Sequence, residues 1–120
     1  MGVPENLQAF QLAFKLACEI QLLTKRFPKE EKYSLTDQIR RSSRSVCANL
    51  LEGYRKRIYP KSFISKLSDC AGENAETSLW LDFAKEFGYV SQDEYERYKA
   101  QCNSIGRLLS FMMKHLDRFC

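Results

Sequence analysis

The segment Ser34–Arg57, SLTDQIRRSSRSVCANLLEGYRKR, constrains the fold more than any other part of the chain. Leu35, Ile39, Val46, Leu50 and Gly53 recur at the spacing of one helical face, while Cys47, Ala48 and Leu51 carry small or apolar surface around the rest of the cylinder. A helix of this kind is buried by more than one layer, so further helices, or copies of the chain, must surround it. Ser34 stands as its N-cap, with Asp37 in the first turn. Gly53 inside a helix costs about 1 kcal/mol relative to Ala, which predicts the close approach of another backbone or a local bend.

The neighbours are legible on either side. The first helical pattern runs from about Asn6 to Phe27 and has two apolar stripes, one of Phe10, Ala13, Phe14 and Ala17, the other of Leu12, Leu16, Ile20, Leu23 and Phe27; Pro28 stops it. A polar loop, 29–33, leads into the second helix, and Pro60 starts the third. There Phe63, Leu67, Cys70, Asn74, Thr77, Leu81 and Ala84 alternate at spacings of four and three, a bundle seam with a polar middle. Gly88 is a left-handed residue closing that helix. Ser91 and Glu94 form a capping box, and Tyr95, Tyr98, Cys102, Ile105, Leu109, Met112, Leu116 and Phe119 line the last seam. Four helices with short connections and no strand pattern predict an all-α, antiparallel up-down-up-down four-helix bundle.

With 120 residues, the chain suits a single domain, 1–120. No apolar run approaches the roughly 18 residues that span a bilayer, and no membrane contact is expected. Met1–Asn6 lacks the basic and apolar regions of a secretion signal, and Asn6 stands where a myristoylation site needs Ser or Thr, so a cytoplasmic location is the expectation. The five scattered cysteines suit reduced, buried thiols, with Cys120 at the terminus the exception. Asn49, Glu52, Asn74 and Glu76 read as polar residues in buried positions. A di-metal centre would need Glu-x-x-His pairs, and the one histidine, His115, has no such partner, so neither a metal nor another cofactor is expected.

Several stretches carry a resemblance: Leu22-Leu-Thr-Lys-Arg-Phe-Pro28, Leu35-Thr-Asp-Gln-Ile-Arg-Arg41, Ala48-Asn-Leu-Leu-Glu-Gly-Tyr54, Gly72 and Glu76 ahead of Leu79, and Ala84-Lys-Glu-Phe-Gly-Tyr89. From about Leu7 to Phe119 the chain resembles the four-helix-bundle proteins encoded in intervening sequences of bacterial 23S ribosomal RNA genes. These are related to the accessory variability determinant proteins of diversity-generating retroelements. The resemblance implies a cytoplasmic bacterial protein assembling as a homopentameric ring, and supplies no reaction. The chain departs from the usual pattern at Ala9-Phe10, Cys47 and Glu73.

Charge supplies the candidate site. Between Leu35 and Ser62 seven cations face only Asp37 and Glu52, a net +5, while the whole chain is +4. Arg40, Arg44 and Arg55 fall together on the helical wheel, Arg41 lies just beyond, and Lys56 and Arg57 extend the cluster at the helix end. Cations along one face suit phosphate contacts without base reading, in RNA or DNA. The same arginines also suit ion pairs with acids of neighbouring helices or of the next subunit. The excess apolar width of the first two helices predicts self-association through Leu12, Leu16, Ala48 and Leu51. The expected function is a non-enzymatic oligomeric scaffold binding RNA or a nucleoprotein; the alternatives are an assembly protein with a protein partner and, less favoured, a small helical ribonuclease. That last reading needs an Arg and a His four to six residues apart, and Arg107 precedes His115 by more.

Overall fold

The computed structural model describes residues 7–120. It contains four helices, α1 (Gln8–Leu23), α2 (Leu35–Arg55), α3 (Pro60–Glu86) and α4 (Gln92–Lys114), and no strand among the described residues. The expected start of α1 at Asn6, like the targeting reading of Met1–Asn6, lies outside the described residues. At its other end α1 stops short of the expected Phe27: Thr24–Arg26 tighten into a 3-10 turn, and Phe27, ahead of Pro28, is extended at ψ 152°.

The four helices share one apolar core. α1 packs on α2 and α4, and α3 packs on the same two neighbours. Partners advance along one helix as they retreat along the next: Ser42 Oγ lies 2.7 Å from Thr77 Oγ1, the Cys70 thiol donates to Val46 O, and Lys66 Nζ donates to Glu52 Oε2. Between α3 and α4, Lys99 and Tyr95 both donate to Asp82 Oδ1, and Asn74 Nδ2 donates to Cys102 O at 2.9 Å.

The α3 seam is buried at every expected position, as is the α2 face Leu35, Ile39, Val46, Leu50 and Gly53. On α4, Tyr98, Cys102, Ile105, Leu109 and Met112 are buried and Tyr95 is half-buried, but the helix ends at Lys114, so Leu116 and Phe119 pack from a terminal 3-10 turn. The close approach expected at Gly53 is real: a Cβ there would sit 2.7 Å from Lys66 Cβ. Gly88 has φ 79°, and the bonds from Gly88 N to Lys85 O and Tyr89 N to Ala84 O complete a Schellman end. The Ser91–Glu94 capping box is present with both bonds.

Three expectations are corrected. Ser34 does not cap α2 with its side chain; Glu31 Oε1 instead accepts from both Ser34 Oγ and Leu35 N, while Glu31 Oε2 accepts from Tyr89 O–H. That carboxylate is held below its ordinary value first by the Ser34 bond. Among the four polar helix residues only Asn74 is buried; Glu52 and Glu76 are exposed, because their positions rim the helix contacts rather than enter them. Cys18 is exposed along with Cys120, while Cys70 and Cys102 are buried and Cys47 is half-buried.

Candidate nucleic-acid interface

The basic stripe of α2 divides into two groups with different surroundings. At its N-terminal end, Arg40 Nε donates to Thr24 Oγ1 at 2.7 Å and Nη2 reaches Gln21 O. Arg40 thereby reaches one carbonyl and one hydroxyl at the C-terminal end of α1, where the helix dipole favours a cation. Arg44 Nη2 donates to the Gln21 side chain at 2.5 Å, and Arg41 pairs with Asp37 one turn back. These three residues bind α1 or their own helix first. At the other end, Arg57 folds back so that Nε donates to Tyr54 O, with its guanidinium 3.6 Å from the Tyr54 ring centre.

Arg55, Lys56 and Lys61 are exposed and make no ion pair within 4 Å among the described residues. Lys56 and Lys61, with Ser62, Ser65 and Lys66, line a concavity of ≈ 280 Å³ at the turn between α2 and α3. Pro60 starts α3, so the unbonded first-turn N–H groups of that helix lie at the same corner. Lys66 is occupied by Glu52, whose carboxyl it holds below the ordinary range. Lys61, Ser62 and Ser65 were absent from the expected site. Pro60 was the available signal, since a helix starting there places Lys61 and Ser62 in its first turn beside the end of α2.

The four residues expected to join subunits are scattered. Leu16 is 2 % exposed within the core and is corrected to a core residue. The two stripes of α1 are shared differently from the expectation: Ala13, Leu16, Ile20 and Leu23 face inward. Phe14 and Leu22, at 56 % and 66 % exposure, face out. Leu12 lies on the opposite flank, beside Arg97 and Gln101 of α4. Ala48 and Leu51 do meet α1, lining a groove of ≈ 680 Å³ with Phe10, Phe14, Leu22 and Cys47.

His115 Nδ1 lies 2.9 Å from Phe111 O and its ring stacks on Phe111, whereas Arg107 turns to Ser104. Among the described residues no three His, Cys, Asp or Glu side chains gather where they could hold a metal ion. No helix among them is long and apolar enough to cross a membrane. Burial pushes the Cys70 thiol up to about 12 and the Cys102 thiol to about 11, as for core thiols.

Fold and surface thus define an all-α protein of four helices around one core, with a cationic corner and an open apolar groove. It belongs to the 23S rRNA-intervening sequence protein family, whose model matches residues 5–111. It is similar to a crystal structure of a protein of unknown function from the S23 ribosomal protein family of Bacteroides thetaiotaomicron VPI-5482, with 27% identity and a TM-score of 0.79, over 88% of this chain and 95% of that one. No curated protein matches it.

Proposed function

We propose that this chain is a non-enzymatic cytoplasmic scaffold: an antiparallel up-down-up-down four-helix bundle that assembles with its own copies into a homopentameric ring and holds RNA by its phosphates. The opposed order of the contacts between successive helices supports the topology. The open α1–α2 groove supports self-association, because apolar surface of that size is seldom left to solvent. The observation that carries RNA binding is the corner where Lys56 and Lys61, without an ion pair within 4 Å among the described residues, stand beside Ser62 and Ser65 at the start of α3. Cations, hydroxyls and free N–H groups in one concavity suit a phosphate oxygen, and none of them reads a base. A ring repeats the corner on every copy, so modest contacts add along one RNA strand.

Purification of the native assembly from its own cells tests this reading. Nucleic acid should accompany the protein, and nuclease treatment should release it and lower the ratio of absorbance at the nucleic-acid maximum to that of protein. A nuclease-resistant protein companion with no nucleic acid would replace the RNA reading with a protein-partner scaffold.

A further inference from the structure

We propose that the groove between α1 and α2 receives the outer face of α3 from a second copy of this chain, in a head-to-tail contact. The inference rests on the self-association reading above and gives it a surface.

Two apolar surfaces left open among the described residues carry it. One is the groove, with Phe14 and Leu22 exposed on α1, and Ala48 exposed and Leu51 half-buried on α2. The other is a ridge on α3, where Leu79, Phe83 and Phe87 project into solvent. Trp80, Phe83, Phe87 and Tyr89 extend it as a run of neighbouring rings about 6 Å apart.

Their charges match. Arg44 borders the groove, and Arg55 lies on the same face of α2 eleven residues on, which is about 16 Å along the axis. The apolar groove residues Cys47, Ala48 and Leu51 fall between them. On α3, Glu76 and Glu86 share the face of Leu79 and Phe83 and are ten residues apart, about 15 Å. The pattern is base, apolar, base on one surface and acid, apolar, acid on the other, at nearly equal spacing. Asp69, Glu73, Glu76 and Glu86 make no ion pair among the described residues. Burial first, then the charges of Glu76 and Asp69, push the Glu73 carboxyl up.

Placement decides the symmetry. α1 and α3 both pack on α2 and α4, so they occupy opposite corners and their outer faces point apart. Groove and ridge of one copy therefore engage two different neighbours, which is the heterologous contact that generates rings.

Phe83→Glu damages the ridge and Leu51→Glu the groove, and both positions lie outside the buried core. Circular dichroism first establishes that each variant keeps the parent's helix content. By light scattering the parent assembles, each variant alone is monomeric, and an equimolar mixture of the two forms a dimer, because one intact ridge remains to enter one intact groove. A second measurement avoids added charge. In a Cys120→Ser background, Phe83→Cys should form an intermolecular disulfide with the exposed native Cys18 under diamide oxidation, and Cys18→Ser should abolish it. Variants that assemble like the parent, together with no cross-link, would overturn the groove-and-ridge contact while leaving self-association standing. A parent chain that is itself monomeric at micromolar concentration would remove the self-association reading as well.

Discussion

Replacing Glu94 with Gln tests how the end of α1 is tied to the turn between α3 and α4. Glu94 Oε1 accepts from Ser91 N at 2.8 Å in the capping box and also pairs with Arg26, whose guanidinium reaches Tyr89 O as well. The Arg26 bond first, then the Ser91 backbone bond, hold the Glu94 carboxyl at about 2 against an ordinary 4.5. By linkage a shift of that size corresponds to roughly 3.4 kcal/mol. Arg26 is 51% exposed, and solvent screening reduces the expectation to about 1–2 kcal/mol. Because the folded state depresses this pKa, the stabilisation is complete above 4.5 and is lost as pH falls toward 2. Urea unfolding at neutral pH should show Glu94→Gln about 1–2 kcal/mol less stable than the parent, and the gap should shrink steadily below the carboxylate range. A gap that stays constant down to about pH 2.5 would refute the assignment to this ionised carboxylate.

Two further substitutions probe the contact between α2 and α3. Gly53→Ala gains about 1 kcal/mol of helix propensity but forces a Cβ against Lys66 Cβ at 2.7 Å, so a net loss of about 1–2 kcal/mol is expected, and a rise in the urea midpoint would contradict the close approach. Thr77→Val removes the partner 2.7 Å from Ser42 Oγ inside the core and should cost about 1–2 kcal/mol, with Ser42→Ala added on top recovering much of it in a thermal double-mutant cycle.

The seam of α3 was legible because Phe63, Leu67, Cys70, Asn74, Thr77, Leu81 and Ala84 keep one alternation of four and three along the whole helix, which the outward Leu79 and Phe83 do not share. α1 was not, since both of its stripes are apolar: only packing shows that Leu16 turns inward and Phe14 outward. Ser34 had the chemistry of a cap, yet Glu31, held in a 3-10 turn, reaches the first N–H of α2, that of Leu35, instead. The arginine stripe was visible as positions on a wheel. A wheel locates Cα atoms, whereas a guanidinium travels several ångströms, and Arg40 and Arg44 spend that reach on α1. Lys61 and Ser65 join Lys56 only through the turn of the chain at Pro60, a tertiary fact that no helical period contains.

The central claim is that RNA phosphates bind at the turn between α2 and α3, and the salt dependence of binding tests it most directly. Affinity for a single-stranded RNA of mixed sequence should be measured across a salt series for the parent and for Lys56→Gln with Lys61→Gln, both checked for unchanged assembly by light scattering. The account predicts steep weakening with salt for the parent, and in the variant a lower affinity with the slope of log K against log salt flattened by about 0.7 for each phosphate contact removed. Equal affinities and equal slopes, or no binding by the parent even at low salt, would contradict it.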